Sequence, residues 1–70
     1  MGGEDIRKLR EKLVLSQEAF AKRFGFKVGT LRHWEQGTRY PKGPALVLLS
    51  VIKRSPEVVS ETVQMTSAVA

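Results

Sequence analysis

Basic side chains are concentrated in the middle third of this 70-residue sequence. Six Lys/Arg residues and one acidic residue, Glu35, lie between Lys22 and Lys42, so this segment accounts for the net charge of +5. A solvated surface usually mixes positive and negative side chains, whereas a concentrated basic patch suggests a polyanionic partner. The charge pattern alone therefore makes nucleic acid a candidate partner.

The sequence lacks the residue sets on which most catalytic and metal sites depend. It contains no cysteine and a single histidine, His33, which gives no basis for a disulfide or a zinc site. No nucleophile–base pairing, metal cluster or phosphate loop can be identified. We therefore expect neither an enzyme nor a metal or cofactor.

The longest apolar run, Ala45–Leu49, is far below the ~20 residues of a membrane-spanning helix. We expect a cytoplasmic protein with no membrane contact.

Helical spacing of apolar residues, with typical start and stop residues, predicts five helices and no strand. The predicted helices are Glu4–Leu13, Ser16–Phe24, Lys27–Gln36, a fourth beginning at Pro44, and a fifth from Ser55 to about Gln64. Ser16 is a good N-cap, and Gly25 can adopt the left-handed conformation that ends a helix and turns the chain. Residues 1–64 are thus predicted to form one domain, with a flexible start at 1–3 and a disordered tail at 65–70.

Apolar residues on one face of each predicted helix define the expected core. These are Ile6, Leu9, Leu13, Ala19, Phe20, Phe24, Leu31, Trp34, Leu48, Leu49 and Ile52. Trp34 shares a face with Leu31, which favours a core role over a stacking platform for bases. A chain this short buries only about 60% of its unfolded surface, so dimerisation is a plausible further source of stability.

The second and third predicted helices have the spacing of a helix-turn-helix, whose second helix enters the major groove of DNA. The run LSQEAFAKRFGFKVGTLRHWEQG, Leu15–Gly37, resembles the helix-turn-helix of the phage-repressor/Cro (XRE) family. With IRKLREKL before it and RYPKGPALVLLSVIKRSPEVV after it, the pattern is similar to the HigA- and MqsA-type antitoxins. The resemblance implies a compact all-α bundle of the lambda-repressor type that binds double-stranded DNA and represses transcription.

Specific roles in DNA binding follow from this resemblance. It places Val28, Gly29, Arg32 and His33 at the base-reading positions, and Arg32 suits the O6 and N7 atoms of guanine. It makes Gln17 a clamp on the DNA backbone, where helix N–H groups attract phosphate, and Arg10–Glu35 a structural ion pair. His33 also fits an ordinary surface position. The remaining expected phosphate contacts are Lys27, Thr30, Arg39, Tyr40 and Lys42.

A two-fold dimer on a palindromic operator is expected, because one helix-turn-helix reads only a few base pairs. Apolar residues beyond the needs of the core mark the expected interface, unless the fifth helix folds back over the fourth within one chain. They are Val47, Val51, Val58, Val59 and Val63.

Three functions remain open at this stage. The favoured one is an antitoxin that represses its own operon, with a cognate toxin as partner. The resemblance implies that a toxin-binding segment, which precedes the first helix in relatives, is not part of this sequence. The alternatives are a phage-type or stand-alone regulator and a protein-interaction module without DNA. RNA fits less well, because a helix does not enter the deep, narrow A-form groove.

Overall fold

Five α-helices follow one another along the chain: α1 (Gly3–Lys12), α2 (Gln17–Phe24), α3 (Val28–Gln36), α4 (Pro44–Arg54) and α5 (Pro56–Val69). The computed structural model describes the backbone of residues 1–69 and the side chains of residues 1–66. The described backbone contains no strand, so the predicted all-α, five-helix architecture is confirmed. None of the helices in this part of the chain is long and apolar enough to cross a membrane.

The predicted helix boundaries around the helix-turn-helix are confirmed by the local hydrogen bonds. The Ser16 hydroxyl accepts a hydrogen bond from the backbone N–H of Ala19 (3.1 Å) and so caps α2. Gly25 ends α2 with φ +80°, and the N–H of Phe26 then donates to the carbonyl of Ala21 (2.8 Å). A side chain would be strained at such a positive φ. Gly25 therefore sets the tight turn between α2 and α3.

The connection between α1 and α2 contains a strained residue that the sequence analysis missed. Val14 has φ +57°, although β-branched residues rarely adopt the left-handed region. Its N–H donates to the Glu11 carbonyl (3.0 Å), and the Leu15 N–H donates to the Arg10 carbonyl (3.3 Å). This is the Schellman pattern in which glycine is usual. The turn brings the Leu15 carbonyl within 3.0 Å of Arg10 Nη1.

The core lies where all five helices meet. Eight of the eleven predicted core residues are buried, and Leu13, Ala19 and Leu48 are partly buried. Trp34 is 5% exposed and meets the ring of Phe26 edge-on at 5.2 Å, so its predicted core role is confirmed. Ala21 and Val59 are also buried, although neither was predicted. Since Leu31 and Trp34 are both buried, the face of α3 that packs inward is the predicted one.

Helix α5 differs most from the prediction. It continues to Val69, five residues past the predicted end at about Gln64. The disordered tail at residues 65–70 stays a prediction, and Ala70 lies outside the described residues. No proline or glycine follows Pro56 to end the helix. The hydroxyls of Thr62 and Thr66 also bond to carbonyls four residues back, at 2.7 and 2.9 Å. A loss of apolar period after Gln64 therefore does not terminate the helix.

The chain start also differs from the prediction of a flexible segment at residues 1–3. Helix α1 begins at Gly3, and the N–H of Gly2 donates to the Asp5 carboxylate (3.1 Å). Gly3 lies directly against the backbone carbonyls of Trp34 and Glu35 at the end of α3. The start of α1 is thus part of the packed structure.

Candidate nucleic-acid interface

Helix α3 has one face packed in the core and another exposed to solvent. Leu31 and Trp34 are buried, whereas Gly29, Arg32 and His33 are exposed. Val28 is partly buried and packs against the edge of the core, which leaves less of it for a thymine methyl than the sequence suggests. No atom lies within 4 Å of the place where a Cβ of Gly29 would stand. The fold therefore does not require glycine there, and its small size leaves room for a close approach by DNA.

The residues predicted to contact phosphate lie on three parts of the chain: the start of α2, α3 with its N-cap, and the loop after α3. Gln17 is in the first turn of α2, and Thr30 is half-buried on α3. Lys27 is the N-cap residue of α3, and the other predicted contacts follow α3 in the loop before α4. The exposed members of the set are Lys27, Arg39, Tyr40 and Lys42. The predicted base contacts thus lie on α3, and the predicted phosphate contacts lie at the start of α2, on α3 and in the segments next to α3 in the chain.

A buried ion pair fixes α1 relative to α3, as the resemblance implied. Arg10 donates from Nε to Glu35 Oε2 (2.8 Å) and from Nη2 to Glu35 Oε1 (2.9 Å), a two-point contact. The Glu35 side chain is 2% exposed. Burial alone raises the pKa of Glu35, but the hydrogen bonds and charge of Arg10, with smaller contributions from Gln17 and Arg7, hold the pKa below its usual value. Glu35 is therefore a structural anion, and its amide neighbour Gln17 donates to it at 3.4 Å.

Arg32 is held by two residues at the start of α2. Its Nη2 donates to Glu18 Oε1 (2.8 Å), and its Nε lies 3.4 Å from Gln17 Oε1. A hydrogen bond from its own backbone N–H, and then the one from Arg32, lower the pKa of Glu18 below its usual value. The sequence analysis assigned no role to Glu18. The only signal that could have found it was its charge, since every other exposed charged residue from Gln17 to Lys42 is basic.

His33 is oriented by the residue that follows α3. The Thr38 hydroxyl donates to the His33 carbonyl (3.2 Å), and the same oxygen lies 2.9 Å from His33 Nδ1. Either group can donate in this second contact, since a hydroxyl and an imidazole nitrogen can each donate or accept. The contact with Thr38 engages Nδ1 and leaves Nε2 for a partner in the major groove.

The predicted dimer interface is only partly exposed. Val47, Val51 and Val58 are 64%, 38% and 56% exposed. Val59 was wrongly included, because α5 packs back against α2 and α4 and buries it in the core of the same chain. Val63 is likewise partly buried, against the core and the α2–α3 turn. Leu46, at 37% exposure, joins the exposed set; we name the group Leu46, Val47, Val51 and Val58 the apolar face.

The paired helices α2 and α3, their glycine turn and the exposed basic surface beside α3 define a helix-turn-helix domain of the XRE type. Residues 6–52 match the family described as Helix-turn-helix, and this chain belongs to that DNA-binding family. The family resemblance inferred from the sequence motifs is thereby confirmed.

One curated protein with a similar sequence is Antitoxin HigA-2 of Vibrio cholerae serotype O1. The two are 34% identical over 62 residues, which is 89% of this chain and 60% of that protein. The chain thus spans about three fifths of the length of the relative it matches. The shared region includes the helix-turn-helix segment.

Proposed function

We propose that this chain binds DNA in a sequence-specific way and represses transcription, with α3 in the major groove. The observation that carries the proposal is the outward face of α3, where Gly29, Arg32 and His33 are exposed and basic residues follow on both sides. Membership of the helix-turn-helix family supports the same reading. A protein-interaction module would not need such a concentration of positive charge.

The proposal separates residues that read bases from residues that bind phosphate. Arg32→Ala is expected to cost about 1–3 kcal/mol of binding free energy at the preferred duplex and to relax the choice at one base pair. Lys42→Ala is expected to weaken binding to all duplexes and to reduce the salt slope by about one. Selection from random DNA, followed by titration of selected and random duplexes at two salt concentrations, measures both. Equal weakening of both duplexes by Arg32→Ala would instead make Arg32 a phosphate contact.

We further propose that this chain is the antitoxin of a toxin–antitoxin system and that it represses the operon that encodes it. The support is the 34% identity to Antitoxin HigA-2. Footprinting on the DNA upstream of its own coding sequence tests this. Protection of an inverted repeat there supports the antitoxin, whereas high-affinity sites only elsewhere favour a phage-type or stand-alone regulator.

A homodimer on a palindromic site is the third part of the proposal. The apolar face supplies exposed aliphatic side chains on α4 and on the first turn of α5, and exposed apolar patches often mark interfaces. Val58→Asp is therefore expected to dissociate the dimer and weaken operator binding while the helix-turn-helix stays folded. Val14→Asp adds the same charge at a valine that is 88% exposed outside this face, so it serves as the control. Sedimentation at micromolar concentration measures the oligomeric state of the free protein and of its complex with the palindromic site. A wild-type protein that is monomeric in both would contradict the proposal.

A further inference from the structure

We propose that Glu18 is a positioning residue for DNA readout: together with Gln17 it holds one edge of the Arg32 guanidinium and leaves the terminal edge for a guanine. This inference rests on the proposed DNA-binding function. It assigns a role to an acidic side chain that lies beside an otherwise basic surface.

The geometry of the guanidinium makes this arrangement compatible with base contact. Arginine presents five N–H donors in a plane, along a side edge formed by Nε and Nη2 and a terminal edge formed by Nη1 and Nη2. Gln17 Oε1 accepts from Nε, which belongs to the side edge alone, and Glu18 Oε1 accepts from one of the two N–H groups of Nη2 (3.4 and 2.8 Å). In the proposed arrangement that N–H is the one on the side edge. Among the described residues Nη1 makes no hydrogen bond. The terminal edge matches the O6 and N7 acceptors of guanine.

A chain of hydrogen bonds links this clamp to the core. Gln17 accepts from Arg32 and donates to Glu35 Oε1 (3.4 Å), and Glu35 is fixed by Arg10. A long arginine side chain has many rotamers in solution, and ordering them on binding costs free energy. Holding Arg32 in advance reduces that cost for one orientation of the guanidinium. Glu18 thereby favours the duplex that places guanine opposite the terminal edge.

The carboxylate of Glu18 should oppose DNA binding, unless positioning Arg32 compensates for its charge. Its side chain is 66% exposed, and a carboxylate near phosphates weakens binding to any duplex. The other acidic residue between Gln17 and Lys42 is the buried Glu35. A positioning role predicts that Glu18 lowers the affinity for random DNA and raises the preference for the correct site.

Two variants separate positioning from repulsion. Glu18→Ala removes both the charge and the acceptor, whereas Glu18→Gln removes the charge and keeps an Oε1 acceptor for Arg32. Both remove the same repulsion, so both should bind random DNA at least as tightly as wild type. Glu18→Ala is expected to reduce the ratio of selected-site to random-site affinity by about tenfold, within the range for one bidentate base contact. Glu18→Gln is expected to restore most of that ratio.

The measurement is a titration of selected and random duplexes with the full chain, repeated in the Arg32→Ala background. In that background Glu18→Ala should leave the ratio unchanged, because the residue that it positions is absent. Equal tightening of both duplexes by both Glu18 variants would show that Glu18 only repels DNA. An increased ratio for Glu18→Ala would show that Glu18 holds Arg32 away from the base, and either result overturns the inference. A wild-type protein that binds no duplex selectively would instead contradict the proposed function.

Discussion

Glu35→Ala is expected to lower the free energy of unfolding by about 3–5 kcal/mol, the usual cost of breaking a buried ion pair. The substitution leaves Arg10, whose side chain is 16% exposed, with its charge largely out of water and without the two oxygens that it contacts. A domain of this size has a total stability of about 4–10 kcal/mol. Thermal and urea unfolding should therefore show a large loss of stability, and a protein near the lower end of this range would be barely folded or unfolded at room temperature.

A double substitution distinguishes loss of the pair from loss of packing. Replacing both partners by apolar residues of similar size, as in Arg10→Met with Glu35→Leu, leaves no unpaired buried charge. The double variant should be more stable than either single variant, which defines a favourable coupling between the two sites. Glu4→Ala provides the control, because Glu4 pairs with Lys8 at the surface with both side chains more than 70% exposed. If the losses of unfolding free energy in the two single variants simply add in the double variant, the Arg10–Glu35 pair does not stabilise the fold as an ion pair.

The same carboxylate gives the wild-type protein a pH dependence with a defined sign. The pKa of Glu35 is lower in the folded chain than its usual value, so the unfolded chain binds more protons in the acid range. The stability from Glu35 is fully present above the unfolded pKa of about 4.3, and it is lost as the pH falls through the lower, folded pKa. In the double variant, this part of the acid dependence of unfolding should disappear.

The helices around the helix-turn-helix were predictable because their signals are local. Ser16 caps its own helix, Gly25 ends it and Pro44 begins another, and each effect depends on a few neighbouring residues. The end of α5 differs from the predicted one because the apolar spacing fades before the helix ends. Val59 was assigned to the wrong surface because periodicity identifies an apolar side of a helix but not what covers it.

In the candidate site, the exposure of side chains could be predicted from the sequence, but the contacts between helices could not be predicted from spacing. The exposure of Arg32 and His33 followed from helical spacing once Leu31 and Trp34 were placed in the core. The Arg10–Glu35 pair spans 25 positions and came from family resemblance rather than from spacing. The contact between Glu18 and Arg32 depends on how α2 and α3 pack, which no local pattern specifies.

Gly3 is the clearest case of a residue whose role is visible only in three dimensions. At its position in the first turn of α1, glycine looks like a poor helix former that alanine should improve, by about 0.5–1 kcal/mol. A Cβ built there would instead stand 2.8 Å from the Glu35 carbonyl oxygen and would overlap the Trp34 carbonyl oxygen as well. Both obstacles are backbone atoms of α3, so no side-chain rotation relieves them.

Gly3→Ala is therefore expected to destabilise the fold by about 3 kcal/mol, at the upper end for overpacking. Gly29→Ala is the matched control, since Gly29 also lies in the first turn of a helix and a Cβ there would meet nothing within 4 Å. The control should be neutral or more stable than wild type, by up to about 1 kcal/mol. Thermal unfolding of the two variants compares the same chemical change at a crowded and an open site. An unchanged or raised melting temperature for Gly3→Ala would show that the start of α1 does not pack against α3, because that contact alone reverses the sign of the effect.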